Sequence, residues 1–167
     1  PTIVDLPANI AVNNDAGVCG AVVTWVAPTS ADNCAGSSIA QTAGDVSGST
    51  FPIGATTITY TATDASNNTF SASFTITVTD NENPTIVDLP ANIAVNNDAG
   101  VCGAVVTWVA PTSADNCAGS SIAQTAGDVS GSTFPIGATT ITYTATDASN
   151  NTFSASFTIT VTDNENP

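Results

Sequence analysis

Apolar and polar residues alternate one for one through "TTITYTATD" (residues 56–64), with Ile58, Tyr60 and Ala62 on one side and Thr57, Thr59, Thr61 and Thr63 on the other. The alternation resumes in "FSASFTITVTD" (residues 70–80), where Phe70, Ala72, Phe74, Ile76 and Val78 oppose Ser71, Ser73, Thr75, Thr77 and Thr79. A period of two predicts half-buried strands. The intervening "DASNN" (residues 64–68) supplies turn residues, so the pair reads as a β-hairpin. Upstream, Ile10 and Val12 suit a strand entering the core, and "GAVVTWVAP" (residues 20–28), apolar on both faces, reads as a central strand with Trp25 as its packing anchor. No stretch has helical periodicity, and Gly, Pro, Asn and Ser punctuate the chain at short intervals, which predicts an all-β sandwich of about seven strands.

Residues 1–83 recur letter for letter as 84–166, and Pro167 repeats Pro1. A period of 83 residues exceeds a solenoid turn and suits one small domain. The expected organisation is therefore two identical domains, 1–83 and 84–166, with residue 167 opening a further copy in a longer array.

Charge narrows the function classes. The chain has fourteen carboxylates and no Lys, Arg or His, for a net charge of −14. Phosphate backbones and anionic headgroups would repel it, so nucleic-acid binding and membrane association are not expected. Without His or Lys there is no general base for a Ser or Cys nucleophile, no Schiff base and no phosphoryl clamp, and enzyme activity is not expected either. Carboxylates such as Asp5 and Asp45 read as solubilising charge. A second reading makes the missing counter-charge a metal ion.

Each repeat has two cysteines, Cys19 and Cys34, then Cys102 and Cys117, outside any C-x-x-C spacing. An even count per repeat suggests one disulfide inside each domain, worth about 3 kcal/mol on the loop-entropy model; the rival is a pair of free thiols in a cytosolic protein. The Asn67-Asn68-Thr69 triplet, repeated at Asn150, fits the N-glycosylation acceptor pattern in a turn. The threonine faces also admit ice binding or O-glycosylation, although Thr is simply a good strand former.

The segments "CGAVVTW", "SGSTFPIGATTITYTATDASNN" and "SFTITVTDNE", in that order over nearly all of each repeat, resemble the hyalin repeat, or HYR domain. The resemblance implies tandem extracellular immunoglobulin-like β-sandwiches at a cell surface or in a matrix, with an adhesive or structural role and no catalysis. Many family members carry a second cysteine pair; Asp5 and Ala72 stand at the corresponding positions here.

In such a sandwich the chain enters at one pole and leaves at the other. Loop parity then assigns Asp15 to the C-terminal pole of the first repeat, and Asp115 and Asp147 to the N-terminal pole of the second. Asp80, Asn81, Glu82 and Asn83 form the junction. Clustered Asp, Asn and Glu oxygens without a cation suit a hard divalent ion, and calcium accepts irregular sets of 6–8 oxygens better than magnesium does. The repeat equivalents are Asp32, Asp64, Asp98, Asp163, Asn164 and Glu165. The "DNENP" string is also similar, loosely, to the Asp- and Asn-rich linkers between cadherin repeats. The alternative is an ordinary solvated linker. Together these features predict a calcium-stiffened, disulfide-stapled stalk, matrix fibre or filament whose partners are further copies of itself, along the chain or laterally. The competing expectation is an adhesive module that recognises a carbohydrate or protein through its loops.

Overall fold

The computed structural model describes residues 1–166, so the Pro167 expected to open a further copy lies outside the described residues. The chain divides into two units, Pro1–Asn81 and Glu82–Pro167, each with its own apolar core. All regular structure among the described residues is strand.

The first unit contains β1 (Thr2–Val4), β2 (Ile10–Asn13), β3 (Gly20–Val22), β4 (Thr29–Ala31), β5 (Ser38–Ala43), β6 (Thr50–Pro52), β7 (Gly54–Thr63) and β8 (Thr69–Thr79). The second repeats them as β9 (Thr85–Val87), β10 (Ile93–Asn96), β11 (Gly103–Val105), β12 (Thr112–Ala114), β13 (Ser121–Ala126), β14 (Thr133–Pro135), β15 (Gly137–Thr146) and β16 (Thr152–Thr162). There are eight strands per repeat against the seven expected. The extra one arises because the first edge strand is broken: Asp5 takes a φ of 58° and Pro7 offers no N–H to a ladder. The two pieces then join different layers, β1 pairing with β4 and β2 running parallel to β8.

One layer is the four-stranded sheet β2-β8-β7-β5, and the other is built from the pairs β1-β4 and β3-β6. The predicted hairpin is its centre, with β7 and β8 antiparallel from Gly54 opposite Val78 to Thr63 opposite Thr69. Ile58, Tyr60, Phe74, Ile76 and Val78 pack from this sheet against Ala21, Val23 and Phe51 of the other layer. Full burial of side chains like Ile58 and Phe51 contributes roughly 1.5–3 kcal/mol each. On the opposite face, hydroxyls bond across strands, Thr42 to Thr61 at 3.0 Å, Thr61 to Ser71 at 2.8 Å and Thr59 to Ser73 at 3.0 Å. Period two has thus sorted one face to the core and one to hydroxyl ladders.

Two local expectations are corrected. The "GAVVTWVAP" segment is no central strand: only Gly20–Val22 is strand, its one partner is β6, and Val22 and Val26 are exposed. From Trp25 onward the backbone turns to side-chain partners, the Trp25 N–H donating to Ser47 Oγ at 2.8 Å. Trp25 still anchors the core, edge-on to Phe74 with ring centroids 5.4 Å apart, and its indole donates to Tyr60 Oη at 2.9 Å. Phe70, aligned by parity with the core face, is exposed because it lies at the hairpin end opposite Ala62, beyond the reach of the other layer's core residues.

The register also defines two poles in each unit. Thr63, Asp64 and Thr69 mark the N-terminal pole; Gly54, Val78 and Thr79 mark the C-terminal pole. Thr2 opposite Ala31 brings Pro1 to the N-terminal pole, and the chain leaves the unit after Thr79 at the other.

Candidate metal and disulfide sites

The N-terminal pole of the first unit gathers Asp32 and Asp64. In the hairpin turn, Asp64 Oδ1 accepts from the Ser66 and Asn68 N–H groups at 2.8 and 2.9 Å, and Oδ2 accepts from the Asn68 side-chain amide at 2.8 Å. The Asn68 amide bond, then the Asn68 backbone bond, holds the Asp64 carboxyl below the usual range. Asn67, of the expected glycosylation acceptor, sits in this turn at a φ of 66° with its side chain exposed, and Asn150 does the same at 69°. Asp32 Oδ2 accepts from the Cys34 N–H at 3.1 Å, and its Oδ1 lies 3.1 Å from the Pro1 amino group. These contacts, the Cys34 bond foremost, lower its pKa as well.

In the second unit the same turn is formed around Asp147, whose Oδ1 accepts from Ser149 N and Asn151 N, both at 2.8 Å, and whose Oδ2 accepts from the Asn151 amide at 2.8 Å. Asp147 is buried there, at 5 % exposure. Asp115 Oδ2 accepts from the Cys117 N–H at 3.0 Å. Its Oδ1, the equivalent of the atom that faces an ammonium in the first unit, is buried and has no hydrogen-bond donor. A buried carboxylate oxygen left so is unfavourable by about 1–3 kcal/mol, more when charged.

The C-terminal pole of the first unit gathers Asp15, Asp80 and Asn81. The Asn14 N–H donates to Thr79 O at 2.9 Å, and the Asn81 N–H donates to Asn14 Oδ1 at 3.0 Å, tying the Asn13-Asp15 loop to the departing chain. Asp80 is buried at 4 % exposure. Asp15 is committed to its own loop, where Oδ2 accepts from Val22 N at 2.8 Å. In the second unit Asp98 does the same for Val105 N at 2.9 Å, the Asn164 N–H donates to Asn97 Oδ1 at 3.1 Å, and Glu165 Oε1 accepts from Gly100 N at 2.9 Å. A hollow at this pole is lined by Asn97, Cys102, Asp163, Glu165 and Asn166. Of the junction residues, Glu82 is half-buried and Asn83 exposed. Within each unit, then, loop parity puts the predicted residues at the expected poles: Asp15 with Asp80, and Asp32 with Asp64. The orphaned Asp115 oxygen could not be foreseen, because it depends on which donors the folded loops bring near.

The expected disulfide inside each repeat is not present. Cys34 and Cys102 carry free, exposed thiols, whereas Cys19 and Cys117 are disulfide-bonded. The reason is polar separation. Cys19 precedes Gly20, whose carbonyl accepts from Asp15 N at the C-terminal pole. Cys34 lies in the Asp32 loop at the N-terminal pole, where a Cβ on neighbouring Gly36 would stand 3.4 Å from that of Ala65. The ten residues of β7 span the distance between poles, roughly 30 Å at 3.3 Å per residue. A disulfide requires Cα atoms about 4.4–6.8 Å apart.

Comparison with known proteins adds the following. The model of the HYR domain matches residues 1–78 and 79–161. Hyalin of Lytechinus variegatus is 33% identical over 165 residues, covering 96% of this chain and 31% of that protein. Hyalin of Strongylocentrotus purpuratus is 37% identical over 167 residues, covering 97% of this chain and 14% of that protein. The chain thus spans less than a third of either relative. Among solved structures, extracellular cadherin domains 3-6 of protocadherin gamma B2 align over 96% of the chain at 12% identity, with a TM-score of 0.42.

Proposed function

The chain belongs to the HYR domain family, and from that premise we propose that it is part of a calcium-stiffened, non-enzymatic tandem array, a stalk, matrix fibre or filament. It is an extracellular or cell-surface module of the hyalin type, with an adhesive or structural role. The observation that carries the calcium reading is Asp115, whose Oδ2 accepts from the Cys117 N–H at 3.0 Å while its Oδ1 is buried with no donor. Two further carboxylates, Asp80 and Asp147, are buried in a chain with no cationic side chain, and a divalent ion is the counter-charge this composition leaves available. The residues that would offer oxygens are Asp15, Asp80 and Asn81 at the C-terminal pole of the first unit, Asp115 and Asp147 at the N-terminal pole of the second, and Glu82 and Asn83 of the junction. Bound calcium supplies the positive charge and the rigidity that five polar linker residues lack.

Letter-for-letter identity of the copies also favours a spacer or polymer, since a ligand-reading array has reason to vary its loops. An adhesive glycan site would want clustered exposed aromatics, yet in the first repeat Phe70 alone is exposed, with Trp25, Phe51, Tyr60 and Phe74 in or against the core.

The test is titration calorimetry of calcium into the chelator-stripped chain, paired with small-angle scattering in calcium and in EDTA. Saturable binding at or below the 10⁻⁴–10⁻³ M typical of extracellular modules, with a longer and narrower distance distribution in calcium, supports the proposal. Absence of saturable heat, or scattering indifferent to EDTA, would make the linker an ordinary solvated one.

A further inference from the structure

We propose that Asn67 and Asn150 carry N-linked glycans, one at the tip of the long hairpin in each repeat. The proposal rests on the extracellular placement of the family and not on calcium. Three observations within a single unit carry it. First, Asn-x-Thr with a middle residue other than Pro occurs once per repeat, as Asn67-Asn68-Thr69, whereas Asn83-Pro84-Thr85 has the spacing but is blocked by its Pro. Second, the fold sets this triplet at the tip between β7 and β8, where Asn67, Asn68 and Thr69 are all exposed, as are Asn150 and Thr152 in the second unit. A bulky, hydrophilic chain attached there points into solvent and displaces no core residue. Third, the turn is built without the Asn67 side chain. Its bonds are those to the Asp64 carboxylate from Ser66 N, Asn68 N and the Asn68 amide, together with Asp64 N to Asn68 O at 3.0 Å and Asn67 N to Asp64 O at 3.1 Å.

Asn67 holds the third position of a three-residue hairpin loop, the position that takes positive φ, and its 66° is a conformation that Asn tolerates. Backbone geometry thus explains a small polar residue there, and the exposed amide is left over for chemistry. Other asparagines of the unit are committed: Asn9 Oδ1 accepts from Thr75 N at 2.8 Å, and Asn14 Oδ1 from Asn81 N at 3.0 Å. The donor of the sugar is a lipid-diphosphate oligosaccharide, acted on by the transferase of a secretory compartment. Asn67 Nδ2 attacks C1 of the first sugar; the new N–C bond forms as the C1–O bond to the diphosphate breaks. The lipid diphosphate leaves and the amide nitrogen gives up one proton. An array so modified carries a glycan once in every 83 residues.

The experiment secretes the whole two-repeat chain from a eukaryotic cell line and reads its intact mass, unfolded in EDTA, before and after peptide-N-glycosidase F. Wild type is expected to carry two glycans, both released by the enzyme with an aspartate left in place of each asparagine. N67D/N150D should carry none, and its turn should survive, because Asp5 already holds a φ of 58° in this fold. T69A/T152A keeps both asparagines, removes the hydroxyl the pattern requires, and should also carry none; T69S/T152S should recover both. Secreted wild type with no releasable sugar, or T69A/T152A modified like wild type, overturns the proposal. Sugar present only in a form that resists the enzyme and persists in N67D/N150D belongs to strand hydroxyls and overturns it too. These masses do not depend on calcium, so a failed calcium titration and a failed glycan assignment are told apart.

Discussion

Replacing Asp115 by Asn should change the sign of its effect on stability between chelator and calcium. The substitution keeps an oxygen for the Cys117 N–H, which Asp115 Oδ2 accepts at 3.0 Å, and removes the charge from the buried oxygen that has no donor. In EDTA the wild type carries that uncompensated oxygen, unfavourable by about 1–3 kcal/mol. D115N should relieve part of this, and in a domain of this size each 1 kcal/mol moves Tm by about 4–8 °C. In calcium at about 100 times its Kd, binding stabilises the wild type by roughly 2.7 kcal/mol, and D115N should lose most of that gain. Differential scanning calorimetry in the two buffers reads both limbs. A D115N chain less stable than wild type in EDTA, with the same calcium increment, would refute the reasoning that this oxygen awaits a cation.

Ile58 is fully buried at the centre of β7, so I58A should lose about 2–5 kcal/mol through lost burial and a residual cavity, read from the midpoint of urea unfolding. Gly44 has a φ of 83°, and a Cβ there would collide with Ile58 Cδ1 and approach Thr57 O to 2.8 Å; G44A should lower the thermal midpoint although it adds one methyl to a surface turn. The Asp64 carboxyl is held below its ordinary 3.8 chiefly by the Asn68 amide. Its folded pKa is the lower one, so its contribution is complete above the unfolded pKa and disappears as pH falls through the folded value. Stability measured against pH should bend downward below about 3.8, and D64A should show less of the bend. Finally, with no Lys or Arg in the chain, trypsin should leave even the guanidinium-unfolded and diluted protein intact on a gel, and fragments would contradict the sequence chemistry.

Much of the fold was legible because side chains at period two report directly which face of a strand is dry. The β7-β8 hairpin, its turn at Asp64–Asn68 and the tandem division all follow from that and from the repeat. The broken first strand was not legible, since Asp5 at positive φ is a response to the two layers it joins. Nor was the exposure of Val22 and Val26, for an apolar run does not say which of its residues the opposite layer reaches. The cysteines are the most instructive case. The parity that sends Asp15 and Asp32 to opposite poles also separates Cys19 from Cys34, yet an even count per repeat favours the wrong pairing.

By itself the sequence determined the local and the global extremes: strand and turn positions, through alternation and turn chemistry, and the tandem repetition of an acidic unit without cationic side chains. The tertiary structure alone decided which groups meet. Register carries Asp80 beside the Asn13-Asp15 loop and Asp32 beside Asp64, parts the two cysteines of a repeat by the length of β7, and leaves one oxygen of Asp115 buried without a donor. Those outcomes depend on distances between residues remote in the chain, which no local pattern encodes and only the packing of two layers fixes.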